Sequence, residues 1–192
     1  MKTVNIIYLV ALSLLFSCKS ENSKTNASDV SPEVKTEEVK LGGQSSVKDE
    51  VSDPDALRTA KSIADFSTLV AAIEAAGVED AVVNAGPLTI FAPLNSAFDK
   101  LPAGTVEDLL KPENKSKLAF ILTNHVAPAN YPIQQLEKEA KKQRKLYMAS
   151  GNYLPVENKE GKIFVNGIEI IKTVKVSNGW IHVIDQVLVP QE

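Results

Sequence analysis

The run Asn178-Gly-Trp-Ile-His-Val-Ile-Asp-Gln-Val-Leu-Val189 decides the fold class. It opens with an Asn-Gly turn signal, and apolar residues then occupy both alternating sets of positions. This pattern predicts a strand over 180–189 that is buried on both faces. Shorter strand-like segments with turn sequences between them are 88–92, 153–156, 163–165, 168–171 and 174–176. Closely spaced strands joined by short turns predict a largely antiparallel sheet.

Helical signals lie between residues 66 and 122, before most of the predicted strands. Apolar residues at positions 66, 69, 70 and 73 follow the i, i+3, i+4, i+7 spacing of one helix face. Asp65 is expected to cap this helix and Gly77 to stop it. Asn95 and Thr105 are each expected to cap a further short helix, and Pro112 is expected at the first position of another. Helices followed by strands predict an α+β domain.

The composition excludes several classes of function. The 192 residues include 21 Lys+Arg and 24 Asp+Glu, so the formal net charge is −3. A slightly acidic chain argues against nucleic-acid binding, which needs cations to neutralise phosphates. The single cysteine excludes an internal disulfide and a cysteine-rich metal site, and two histidines leave little room for a histidine site. No cofactor or metal is therefore expected.

The N-terminus has the features of a bacterial lipoprotein signal. Lys2 precedes an apolar run from Ile6 to Phe16 that is shorter than the ~20 residues needed to span a membrane. The small residue Ser17 then precedes Cys18, whose thiol could take a lipid. We expect residues 1–17 to be a signal peptide and lipid on Cys18 to hold the protein on a membrane of the cell envelope, with the domain outside the cytoplasm. An ordinary secretory signal or an uncleaved anchor are the alternatives.

Residues 18–54 are predicted to be a disordered tether. From residue 19 onward the stretch has no aromatic residue, and its apolar residues stand singly among polar ones. Such a segment cannot bury enough surface to offset the entropy of ordering it. Residues 55–192 are then expected to form a single domain.

His182 and Asp185 are the most suggestive pair for catalysis. Because they are three residues apart on a predicted strand, their side chains should point to opposite faces and cannot form a dyad. We expect both to be buried polar groups that hydrogen-bond to turns. His125, at a helix-to-strand junction, is expected to bind loose backbone groups. Hydrolase, phosphate-loop and metalloprotease motifs are missing, so the sequence predicts no enzyme.

A basic run is the remaining candidate site. Its cations are Lys138, Lys141, Lys142, Arg144 and Lys145. It is either a solvated helix face or a docking patch, for which an acidic polysaccharide or an anionic head group would be the natural partner.

Several sequence blocks, taken together, resemble the fasciclin (FAS1) family as found in bacterial surface lipoproteins. The blocks are 66–72, 75–77, 86–93, 95–98, 101–106, 109–110, 125–126 and 178–185. The resemblance implies a FAS1-like fold, an antiparallel β-sandwich-like wedge with helices packed along one edge. It also implies an adhesion or interaction module without cofactor or catalysis. The residues it marks as structural are Phe91, Pro93, Asn95, Phe98, His125, Asn178, Gly179, His182 and Asp185.

The chain departs from the family pattern at two positions. Asn124 stands where the family often has the tyrosine linked to integrin binding, and Leu94 replaces a threonine, which leaves Asn95 as the expected cap. The acidic motif linked to integrins is also missing from 172–176. The leading prediction is a surface-tethered module that binds an unknown protein or polysaccharide. The alternative is a small-ligand-binding or weakly hydrolytic envelope lipoprotein, which would need a pocket and a titratable group of shifted pKa.

Overall fold

A computed structural model describes residues 54–83 and 86–190. The helices are α1 (Ala56–Lys61), α2 (Ser67–Ala76), α3 (Glu79–Val83), α4 (Asn95–Phe98), α5 (Thr105–Leu109), α6 (Lys115–Thr123) and α7 (Ile133–Lys141). The strands are β1 (Leu88–Pro93), β2 (Val126–Ala127), β3 (Lys145–Tyr147), β4 (Tyr153–Lys159), β5 (Lys162–Val165), β6 (Ile168–Val176) and β7 (Gly179–Ile184). The predicted signal peptide, Cys18 and the predicted tether up to residue 53 lie outside the described residues.

The seven strands of the described residues form one sheet in the order β2-β1-β7-β6-β5-β4-β3. Neighbouring strands are antiparallel except β1 and β7, which run parallel with Phe91 opposite His182. A parallel pair needs a long crossover connection, and here everything from α4 to β6 lies between the two strands. The predicted α+β class is confirmed.

Two hydrophobic clusters lie on opposite sides of β1 and β7. Ile90 and Ile181 belong to a cluster with the first helices and α6, whereas Phe91 and Ile184 belong to one with α7 and β3 to β5. Burial on both faces explains why these two strands have nearly continuous apolar sequences. The two clusters also give the sandwich-like layering that the resemblance implies.

Three predicted helix caps are wrong. Asp65 lies inside the 3₁₀ turn Ala64–Phe66 and caps nothing. Instead the Asn95 side chain, from α4, caps α2 across the chain, because its Oδ1 accepts the Thr68 N–H at 3.0 Å. Asn95 therefore does not cap its own helix, whose preceding residue Leu94 makes no side-chain cap. Thr105 is the first residue of α5 rather than its cap.

The strands near the C-terminus also differ from the prediction. β7 ends at Ile184, not at residue 189. The Ile184 carbonyl accepts the Leu94 N–H at 3.1 Å, so the end of β7 bonds to the loop that follows β1. The two segments predicted at 168–171 and 174–176 form one strand, β6, whose pairing with β7 is irregular between Ile170 and Lys172.

Candidate functional site

Asn124 and His125 hold the segment that follows β7. The Asn124 Nδ2 donates to the Leu188 carbonyl at 2.9 Å, and the Leu188 N–H donates to the His125 Nε2 at 2.9 Å. The His125 Nδ1 lies 2.8 Å from the Ile121 carbonyl. Since Nε2 accepts, the proton must be on Nδ1, which donates to Ile121. Complete burial lowers the pKa of His125 to about 4. Both ring nitrogens are therefore engaged with backbone groups.

Asn124 also connects the helix end to a neighbouring loop. Its Oδ1 accepts the Ser150 hydroxyl at 2.9 Å and the Asn152 Nδ2 at 3.0 Å. The residue has no exposed surface. The position where the family often has a tyrosine is thus a buried hydrogen-bonding centre in this chain.

His182 is fully buried and likewise has both nitrogens engaged. Its Nε2 lies 2.8 Å from the Tyr131 carbonyl, which can only accept, so Nε2 must be the protonated donor. In the neutral ring Nδ1 is then the acceptor, and it accepts the Thr173 hydroxyl at 2.9 Å. The ring stacks on Phe91 with centroids 5.5 Å apart. Burial lowers the pKa of His182 and favours the neutral ring.

Asp185 does not have the buried environment predicted for it. Its side chain is 39% exposed and forms an ion pair with Lys100 at 2.8 Å. The reason is that β7 ends at Ile184, the residue before Asp185, so the chain bends there and Asp185 reaches solvent. His182 and Asp185 are therefore not brought together, and no dyad forms.

Asn178 and Gly179 join the start of β7 to the first helices and to β1. Asn178 accepts the Ala56 N–H at 3.0 Å and donates to the Val82 carbonyl at 2.9 Å. Gly179 has a φ of +145°, and a Cβ there would lie 1.8 Å from the Leu88 carbonyl oxygen. Only glycine fits this approach of the two backbones.

An apolar cavity of about 430 Å³ lies between α4, α5, α6 and the segment after β7. Most of its lining residues are apolar, including Phe98, Leu109 and Val187, and the exposed charged residues Asp108 and Lys117 also line it. His125 lines it too, but its nitrogens already have partners. The sequence did not reveal this cavity because its walls come from distant segments.

The five cations of the basic run are all exposed. The run extends beyond the helix, since α7 ends at Lys141 and β3 begins at Lys145. Arg144 lies 3.8 Å from the carboxylate of Glu139. The surface is therefore a helix end and a strand rather than one helix face.

Two tyrosines lie directly beside this run, and the sequence reading missed them. Tyr147 on β3 pairs in register with Tyr153 on β4, and their ring centroids are 5.3 Å apart. They are 47% and 61% exposed. Lys145 is two residues from Tyr147 and so shares its face of the strand. The alternation of Lys145, buried Leu146 and Tyr147 could have indicated this face.

The part of the chain that is described contains neither a cluster of metal ligands nor a membrane-spanning helix. Residues 54–83 and 86–190 contain no group of three or more side chains placed to hold a metal ion. Over the same ranges, the helices are too short or too polar to cross a membrane.

These contacts define an α+β domain in which Asn124, His125, Asn178 and His182 bond to other groups of the domain, while the tyrosine pair and the cations of the basic run are exposed. The Fasciclin domain family model matches residues 64–190. The chain belongs to the fasciclin family.

Relatives and solved structures resemble the same region. The chain is 48% identical over 126 residues to protein sll1483 of Synechocystis sp., covering 65% of this chain and 67% of that one. It is 30% identical over 130 residues to human periostin, covering 66% of this chain and 15% of periostin. A FAS1 domain pair from the insect cell adhesion molecule fasciclin I matches with a TM-score of 0.63 and 22% identity. That match covers 71% of this chain and about half, 51%, of the insect chain, and it shows the fold.

Proposed function

We propose that this protein is a non-catalytic adhesion module of the cell envelope that binds through its fasciclin domain. The observation that carries the proposal is the fasciclin domain over residues 64–190, which the chain shares with a structure from an insect cell adhesion molecule. The absence of a catalytic role is supported by the contacts of the two histidines. Every ring nitrogen of His125 and His182 is bonded within the domain, so neither is free to move a proton to or from a substrate.

The second part of the proposal is that lipid on Cys18 anchors the domain to a membrane. Ser17 before the only cysteine, at the end of a short apolar run, supports it. A tether over residues 18–54 behaving as a random coil would give the domain a reach of roughly 35 Å. Tethering raises the effective concentration of a weak binder at the surface.

The test compares bacteria expressing the full chain with bacteria expressing its Cys18→Ala variant. The full chain should be found in the membrane fraction and should increase attachment of the cells to isolated matrix material. Cys18→Ala should leave the membrane fraction and abolish the gain in attachment. Normal processing and unchanged detergent partitioning of the variant would contradict the lipid anchor. No gain in attachment by the anchored chain would contradict the adhesion role.

The cavity favours a second candidate function, the binding of a small apolar molecule. Its volume of about 430 Å³ is within the range of ligand pockets. Ala103 is exposed and lines the cavity, so Ala103→Trp should block it without disturbing the core. Anilinonaphthalene sulfonate is a suitable fluorescent probe, and Ala149→Trp, at another exposed alanine, is the matched control. Loss of probe binding in Ala103→Trp alone would support this function, and equal binding by both variants would exclude it.

A further inference from the structure

The β3–β4 hairpin presents an aromatic pair next to a cation on one exposed face. Tyr147 lies opposite Tyr153, and Lys145 lies opposite Pro155, so these four side chains share the outer face of the two strands. The intervening residues Leu146 and Leu154 point into the core. The face is therefore held by a packed hairpin, although its own side chains are open to solvent.

The cations of the run 138–145 form few ion pairs. Within the described residues, no carboxylate lies within 4 Å of Lys138, Lys141, Lys142 or Lys145, and Arg144 has only its long contact with Glu139. The run carries five cations in eight residues of a chain whose net charge is −3. Lysine- and arginine-rich runs of this length are typical of patches that bind polyanions.

A groove of about 450 Å³ with both polar and apolar lining continues from this face along the edge of β4. It lies beyond Lys145, the first residue of β3. There β4 continues from Val156 to Lys159, and none of the described strands pairs with it on that side. The amides of Gln143 and Asn158 and the guanidinium of Arg144 line it beside apolar residues such as Val156. Glu157 also lines it, and its carboxylate is paired with Lys159. The two amides and the guanidinium can hydrogen-bond hydroxyl groups, and their N–H groups can bind carboxylates.

We propose that this basic-aromatic face, made of the run 138–145 with Tyr147, Tyr153 and the adjoining groove, binds an acidic polysaccharide. The exposed rings can pack against the apolar C–H faces of sugars while their hydroxyls stay in water. The lysines attract carboxylate or sulfate groups, and the amides bind hydroxyls. A bilayer would favour exposed apolar side chains in place of the lysines and amides of this face. Duplex DNA would favour a broader basic surface than this acidic chain offers. The inference rests on the proposed adhesion function and names its partner class.

The experiment measures binding of the full chain in detergent to dextran sulfate, polygalacturonate and uncharged dextran by affinity electrophoresis. We expect retardation by the two acidic polymers and none by dextran. Tyr147→Ala with Tyr153→Ala should weaken binding about tenfold, as expected for two lost ring contacts. Lys142→Glu with Lys145→Glu should abolish it at physiological salt. All four side chains are exposed, so thermal unfolding should stay near wild type.

Matched controls come from other surfaces. Lys172→Glu with Lys175→Glu makes the same charge change on β6, and Phe120→Ala removes an exposed ring on α6. Both should bind as wild type does. The inference would be overturned if the control variants weakened binding as much as the test variants do. It would also be overturned if the protein bound anionic vesicles or duplex DNA more tightly than either acidic polymer. If the tyrosine and lysine double variants still confer attachment of cells to matrix material, this inference fails while the adhesion proposal stands. If the wild-type chain confers none, the adhesion proposal itself fails.

Discussion

Replacing His125 by glutamine is expected to remove a defined part of the pH dependence of stability. In the folded protein His125 is neutral, since its Nε2 must accept the Leu188 N–H while its Nδ1 donates to Ile121. A proton on Nε2 would face that N–H and break the bond. Glutamine keeps an acceptor and a donor at this position but cannot gain a proton at these pH values.

The magnitude follows from the two pKa values of His125. Its pKa is about 4 in the folded protein and 6.5 in an unfolded chain. The unfolded state therefore binds more protons between these values, so the free energy of unfolding rises with pH across that window. This contribution to the free energy of unfolding is fully present above about pH 6.5 and is lost as the pH falls through about 4. The total loss, reached below that pH, is roughly 3 kcal/mol. Between about pH 7.5 and 5 the loss should be about 2 kcal/mol.

Urea unfolding at these two pH values, followed by the fluorescence of the single tryptophan, Trp180, measures the difference. Wild type should lose about 2 kcal/mol more than His125→Gln between them. His182 adds a loss of the same sign, because its pKa is lowered too, and His182→Gln isolates it. Carboxylates titrate mainly at lower pH and affect both proteins alike. An equal loss in wild type and His125→Gln would refute the assignment of a buried, neutral His125.

Three further contacts have defined expectations. Gly179→Ala should cost more than about 3 kcal/mol in urea unfolding because of the clash with Leu88, whereas Gly167→Ala, with a φ of +80° but open space, should cost about 1 kcal/mol. An equal loss of stability in the two glycine variants would contradict the close approach of the Gly179 and Leu88 backbones. Asn95→Ala removes the cap of α2 and should lower stability by about 1–2 kcal/mol in thermal unfolding, with partial recovery in Asn95→Asp. Asp185→Asn should change it by less than about 1 kcal/mol, since the ion pair is exposed; a larger loss would indicate a buried carboxylate.

Local sequence patterns predict much of this fold. The apolar content of both faces of 180–184 is enough to identify a strand buried on both sides, and the i, i+3, i+4 spacing is enough to place α2. The same patterns indicate that His182 is buried, because its neighbours on the strand are apolar. Each of these features depends on residues close together in sequence, which is where periodicity carries information.

Partners distant in sequence could not be predicted in this way. Asn95 has the chemistry of a helix cap, but the helix it caps begins 28 residues earlier in the chain. His125 bonds to Leu188, 63 residues away. The parallel pairing of β1 with β7 likewise joins two strands that everything from α4 to β6 separates in the sequence. A residue type shows which bonds a side chain can make, but only the tertiary fold brings the partner to it. The burial predicted for Asp185 is wrong for the same reason. β7 ends at Ile184, whose carbonyl bonds to Leu94, a residue distant in sequence.

The same contacts bear on where a partner can bind. Asn124, His125 and His182 are buried, and the polar atoms of their side chains already bond within the domain. Breaking one of these bonds to engage a ligand would leave a buried group unpaired, at a cost of about 1–3 kcal/mol. Exposed groups such as Tyr153 and Lys145 carry no such cost. Recognition by this domain should therefore depend on its surface side chains, and two chains that share every motif residue can differ in the partner they bind.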